Sequence, residues 1–170
     1  MTPAELFLKY STSRLDNMTG RICACLDRLT PEQVWTRNSE NENAIGNLIL
    51  HLCGNVRQYI GFGVASLPDV RVRDREFSAR GGMEIEDLKQ RLQATVRDAV
   101  DAIAAVPVER LTKATHVQGR DWTVLEAIYQ VVDHFSTHTG QIVFATKLWT
   151  GADLGFSRQW NTPAPPPRAR

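Results

Sequence analysis

The chain has 170 residues, enough for one ordinary domain with a sizeable core. Apolar residues make up 42 % and charged residues 23 %, which excludes disordered and fibrous classes. Twenty Lys and Arg against nineteen Asp and Glu leave a formal charge of +1, which argues against a nucleic-acid partner held by counterion release. No apolar run approaches the roughly 18 residues needed to span a bilayer. The opening MTPAELFLKYSTSR places Glu5 and Lys9 where a signal peptide needs an unbroken apolar stretch. The expectation is a cytoplasmic protein with no membrane or nucleic-acid partner.

Four helical stretches punctuate the chain. The first begins near Pro3, tolerated in a first turn, and carries Leu6, Phe7, Tyr10, Leu15, Met18, Ile22, Leu26 and Leu29 at mostly three- and four-residue steps. Thr30-Pro31-Glu32-Gln33 reads as a cap followed by a short turn. A second helix is predicted from about Ala44 to Ser66, with Asn43 as N-cap and Gly61 and Gly63 weakening its last turn. Leu67–Gly82 is too long for a simple turn; at about 3.3 Å per residue it can run the length of a helix and join parallel neighbours, without being required to. A third helix spans about Ile85 to Val106, buries Leu88, Leu92, Val96, Ala99 and Ile103, and stops at Pro107. The fourth opens after Asp121 as N-cap and runs to Thr150, with apolar Leu125, Ile128, Val132, Phe135, Ile142, Ala145 and Leu148. No stretch alternates with period two for long enough to predict a strand. The expected fold is an all-α four-helix bundle over residues 1–160, with a disordered Pro-rich tail over 161–170.

Cys23, Cys25 and Cys53 offer no complete disulfide framework, and residues two apart on a helix project to nearly opposite sides. All three read as small buried apolar residues. Trp122, Trp149 and Trp160 read as packing residues.

The chemistry concentrates in His134-Phe135-Ser136-Thr137-His138. Histidines at i and i+4 lie one turn apart on one helix face, here within the inward stripe, close enough to share a cation. His51 occupies the inner stripe of the second helix, with Asn55 and Gln58 continuing a polar line along the same side. A lone histidine on a bundle face is more often a hydrogen-bonded core residue. Three of the chain's four histidines on inward stripes, two of them at ligand spacing, favour a metal site. Three imidazoles without a fourth protein ligand leave an open position, the arrangement of a catalytic site. The zincin pattern fails because Phe135 stands where HExxH needs Glu, and no Glu precedes a His by three as di-iron bundles require. His116, in KATHVQGRD, is expected to be solvent-exposed.

With one His near the start of the second helix and HxxxHxxQ on the fourth, the chain resembles the DinB-like (damage-inducible) superfamily. HFSTHTGQIVFATKL, IGNLILHLCGNVRQYI and RVRDREF are similar to its branch of uncharacterised proteins called DUF1572, over about residues 3 to 150. The resemblance implies up-down-down-up topology, with Leu67–Gly82 as the crossover between helices two and three, and a homodimer. It places a divalent transition metal on His51, His134 and His138, with Zn2+ the default and Ni2+ or Fe2+ as alternatives. It also implies Lewis-acid activation of a low-molecular-weight thiol, as in an S-transferase, or of water; hydrolase and isomerase activities stay open. The rival expectation is a non-catalytic stress-related metal-binding or dimeric scaffold bundle.

Around this centre, Gln141 follows His138 by three on the same helix side and is the candidate to hydrogen-bond a metal-bound water or substrate. Arg71, Arg73 and Arg75 in RVRDREF, beside Asp74 and Glu76, are candidates with Arg57 to receive the carboxylates of a peptide-like thiol, as Asn55 and Gln58 are for substrate contacts. The alternative for RVRDREF is a solvated loop with internal ion pairs. Sequence spacing does not single out a carboxylate to orient a ligating histidine.

Overall fold

The computed structural model describes residues 1–158. The tail 161–170 and Trp160 lie outside the described residues. Four long helices form an all-α bundle: α1 (Pro3–Leu26), α3 (Ile45–Val56, continued by a π-helical segment Arg57–Val64), α5 (Ile85–Ala104) and α6 (Val124–Thr150). Two short helices, α2 (Pro31–Trp35) and α4 (Arg73–Ser78), and a hairpin of β1 (Ala114–Val117) and β2 (Arg120–Thr123) fill the connections. No helix of the described residues is long and apolar enough to cross a membrane.

The helix starts follow local chemistry. Thr2, Thr30 and Thr123 each cap a helix by capping boxes with Glu5, Gln33 and Glu126, so orphan amides at each start are satisfied. Two predicted caps are corrected. Asp121 sits in β2, and Thr-x-x-Glu two residues later caps α6 instead. Asn43 is replaced by Ala44, whose own amide donates to the Asn47 Oδ1 reaching back from the first turn (3.2 Å). The hairpin also corrects the absence of strands. Its strands are four residues each, and its turn places Gln118 (φ 54°) and Gly119 (φ 70°) in the left-handed region that two-residue hairpin turns require. A Gln-Gly turn is a weaker signal than Asn-Gly, and His116 lies exposed on β1, paired with Asp121.

Helix α1 packs on α5 and α6, and so does α3, which leaves α1 and α3 diagonal. Directions follow from which ends meet. Lys89 at the start of α5 pairs with Asp27 just past the end of α1 (2.8 Å), so those two are antiparallel. Cys25, late in α1, meets Thr146, late in α6, so these run parallel. Thr115 on β1, paired with Trp122 just before α6, donates to the Gly63 carbonyl at the end of the π segment (2.6 Å), so α3 opposes α6. Trp35 covers Gly46 at the start of α3 and donates to the Met83 carbonyl just before α5 (3.2 Å), so α3 and α5 start at one end. The order is up-down-down-up, and the connection between the two parallel helices must travel the length of the bundle.

That crossover explains α3. Ten of its twelve residues are buried, which an amphipathic surface helix would not permit. Helices α5 and α6 cover two sides, and α4 lies on it from outside. Asn47 pins this strap through amide hydrogen bonds to the carbonyls of Glu76 (2.8 Å) and Ala79 (3.0 Å).

The expected core of α5 is buried throughout, and the three thiols are buried and free; burial raises the pKa of each. Leu6, Tyr10, Leu125, Leu148 and Trp149 are exposed, contrary to the apolar pattern, because they lie outside the faces turned to neighbouring helices. Trp122 does pack, edge-on to Tyr59, and donates to the Val117 carbonyl.

Candidate metal centre

Helix α3 supplies His51 and α6 supplies His134 and His138, and the three rings converge between the facing helices. The His134 Nε2 lies 3.0 Å from His51 Nε2 and 3.1 Å from His138 Nε2. Nitrogen ligands at about 2.0–2.1 Å from a tetrahedral ion stand roughly 3.3 Å apart, so this spacing suits one shared ion. His51 is buried, and the other two are half-buried.

The outer nitrogens are held. His51 Nδ1 contacts Glu76 Oε2 at 2.9 Å, and Arg71 grips the same carboxylate from Nε (2.7 Å) and Nη2 (2.8 Å). Burial opposes charge on Glu76, but hydrogen bonds from Arg71 and His51 outweigh it and hold the carboxyl below its usual range. An ionised carboxylate only accepts, so His51 Nδ1 carries the proton and Nε2 presents a lone pair. Gln141 Oε1 likewise accepts a hydrogen bond from His138 Nδ1–H (2.7 Å), so that ring's Nε2 presents a second lone pair. Both point at His134, which has at most one Nε2 proton to offer. Its Nδ1 is buried without a partner among the described residues. A cation at the convergence point resolves this shortage, so the donor set fits a metal ion.

His134 does not take up a second proton at neutral pH. Burial first, and then the charges of His138 and His51, push His134 down to about 3. Burial also lowers His138, against the Gln141 hydrogen bond, which raises it.

The remaining predicted residues divide. Gln141, the candidate to contact a metal-bound water or substrate, has its Oε1 against His138 Nδ1. Gln58 donates to Asp69 (2.8 Å) and accepts from Arg71 (2.9 Å) and Gln118 (2.6 Å), tying the hairpin turn to the strap. Asn55 is buried one turn beyond His51, its Oδ1 without a partner among the described residues. Arg73 lies over the Phe77 ring (4.7 Å), which in turn packs against His51 (4.7 Å). Arg57 and Arg75 line a cavity that none of the three histidines touches.

Glu76 is the residue the sequence did not identify as a partner of His51; Arg71, expected within a basic lip, grips that carboxylate. RVRDREF contains the expected internal ion pair, but the Arg71–Glu76 pair is buried and Arg73–Ser78 is helical rather than a solvated loop. Both side chains settle on Gly54, where an added Cβ would collide with Glu76 Oε1 and Arg71 Nε. Gly54→Ala is therefore expected to lift the pair off α3, lowering stability by about 1–3 kcal/mol and weakening divalent-metal binding. Urea denaturation and competitive metal titration measure both, and wild-type values in the variant would contradict this packing.

No curated protein matches the chain. Its fold is similar to that of a solved structure described as "Crystal structure of the conserved protein of locus from Enterococcus faecalis", at 18 % identity and a TM-score of 0.70, covering 89 % of this chain and 99 % of that one. Residues 3–157 match the family described as "Protein of unknown function (DUF1572)", and the chain belongs to that family.

Proposed function

We propose that this protein is a metal-dependent enzyme of the DinB-like type, with one divalent ion, Zn2+ first among candidates, on His51, His134 and His138. The observation that carries the reading is the pairing of three convergent Nε2 atoms with outer nitrogens already committed on two rings. When bound, such an ion supplies Lewis acidity that lowers the pKa of a thiol or water at its free position. The chain's own residues prepare the site. Glu76 raises the donor strength of His51 and Gln141 sets the ring angle of His138, as outer partners of ligating histidines do. Phe77 closes the His51 side with an apolar ring. Among the described residues no further His, Cys, Asp or Glu joins the cluster, which favours an open position over a sealed structural site.

The test is isothermal titration of untagged, Zn2+-loaded protein with glutathione and with cysteine. Saturable binding of one of them, lost in His138→Ala, is expected. Stoichiometric Zn2+ with no thiol binding would remove the transferase reading and leave a metal-binding bundle.

A further inference from the structure

The crossover builds a concavity lined by the Arg71–Glu76 pair and by none of the three histidines. It has a volume of about 360 Å³, between α3, α5 and the strap, within the size range of small-molecule pockets. Its wall carries four arginines, Arg57, Arg71, Arg75 and Arg91, against two carboxylates, Asp69 and Glu76. Both carboxylates are already engaged: Glu76 by Arg71 and His51, and Asp69 by the Gln58 amide and the Arg71 backbone N–H. The side chains of Arg57, Arg75 and Arg91 have no ion-pair or hydrogen-bond partner among the described residues. They come from α3's π extension, from α4 and from α5, three separate elements brought to one cavity.

Charges gathered this way from distant parts of the chain repel one another, and nothing in the fold needs them together. A bound counter-charge offsets that repulsion. Guanidinium groups match oxyanions in geometry, since each can donate two parallel N–H bonds to a pair of oxygens. We propose that this cavity is an anion-binding site for a small molecule bearing a dianionic oxygen group, a phosphate or a dicarboxylate. It is separate from the histidine centre and does not depend on metal there. Glu76 and Arg71 form its inner wall, so the anion sits one hydrogen-bonded pair away from His51.

Titration calorimetry of the full chain at constant ionic strength tests the site, with pyrophosphate and malonate as probes. Saturable binding of one or both is expected; tighter pyrophosphate identifies a phosphate ligand, and tighter malonate a dicarboxylate. Arg57→Gln and Arg91→Gln, both exposed and outside the folded core, should each weaken binding about tenfold, whereas Arg97→Gln, exposed elsewhere on α5, should not. His138→Ala should leave binding intact. Absence of saturable binding would overturn the proposal. So would equal losses in Arg97→Gln, which would mean diffuse charge, or loss in His138→Ala, which would place the anion at the histidine centre.

Discussion

Removal of the imidazole at position 134 is expected to abolish stoichiometric divalent-metal binding, because His134 Nε2 is the atom that both other rings approach, at 3.0 and 3.1 Å. Elemental analysis of untagged His134→Ala after dialysis against Zn2+ measures it; wild-type metal content would end the three-histidine assignment. The same variant carries an acid signature in metal-free protein. His134 is held near 3 in the fold, chiefly by burial, against an ordinary 6.5. Below pH 6.5 the unfolded chain takes up a proton that the folded chain refuses, so stability is full above 6.5 and falls as pH drops toward 3. Denaturant titrations at pH 7.5 and 4.5 should show a smaller acid loss in His134→Ala than in the wild type.

Glu76→Ala carries the largest expected stability effect. The Arg71 side chain is 4 % exposed, and Glu76 is its ion-pair partner. Truncation leaves a buried guanidinium without counter-charge, a loss of about 3–5 kcal/mol, or roughly 10 °C in Tm for a chain of this size. His51 loses its Nδ1 acceptor at the same stroke, and metal affinity should fall about 10- to 100-fold. Glu76→Gln separates the two effects, since it keeps an acceptor for His51 but not the charge for Arg71. Equal stability in Glu76→Ala and the wild type would show that the pair does not hold the strap.

The helices were legible because their signals are local. A 3.6-residue apolar period, Thr-Pro starts and the Gly151 stop depend on neighbours a few positions apart, and α5 follows its pattern residue for residue. The His134/His138 pair was legible for the same reason: one turn of helix sets its spacing. The hairpin escaped because four-residue strands carry two alternations at most, and because its turn uses Gln118 where the common signal has Asn or Asp. Leu6, Tyr10 and Leu148 misled because a stripe on one helix does not say how wide a face its neighbours cover.

What depended on folding in three dimensions is the surroundings of the histidines. Glu76 and Arg71 lie 25 and 20 positions from His51 and reach it only because the crossover lies down on α3 at Gly54. In the linear chain the same pair stands among Arg73, Asp74 and Arg75, and looks like ordinary solvated charge. The candidate ligands were written in residue type and helical repeat. The choice of which charges are buried, which histidine nitrogen is left free, and which arginines share a cavity came from packing, because burial is a property of what covers a residue.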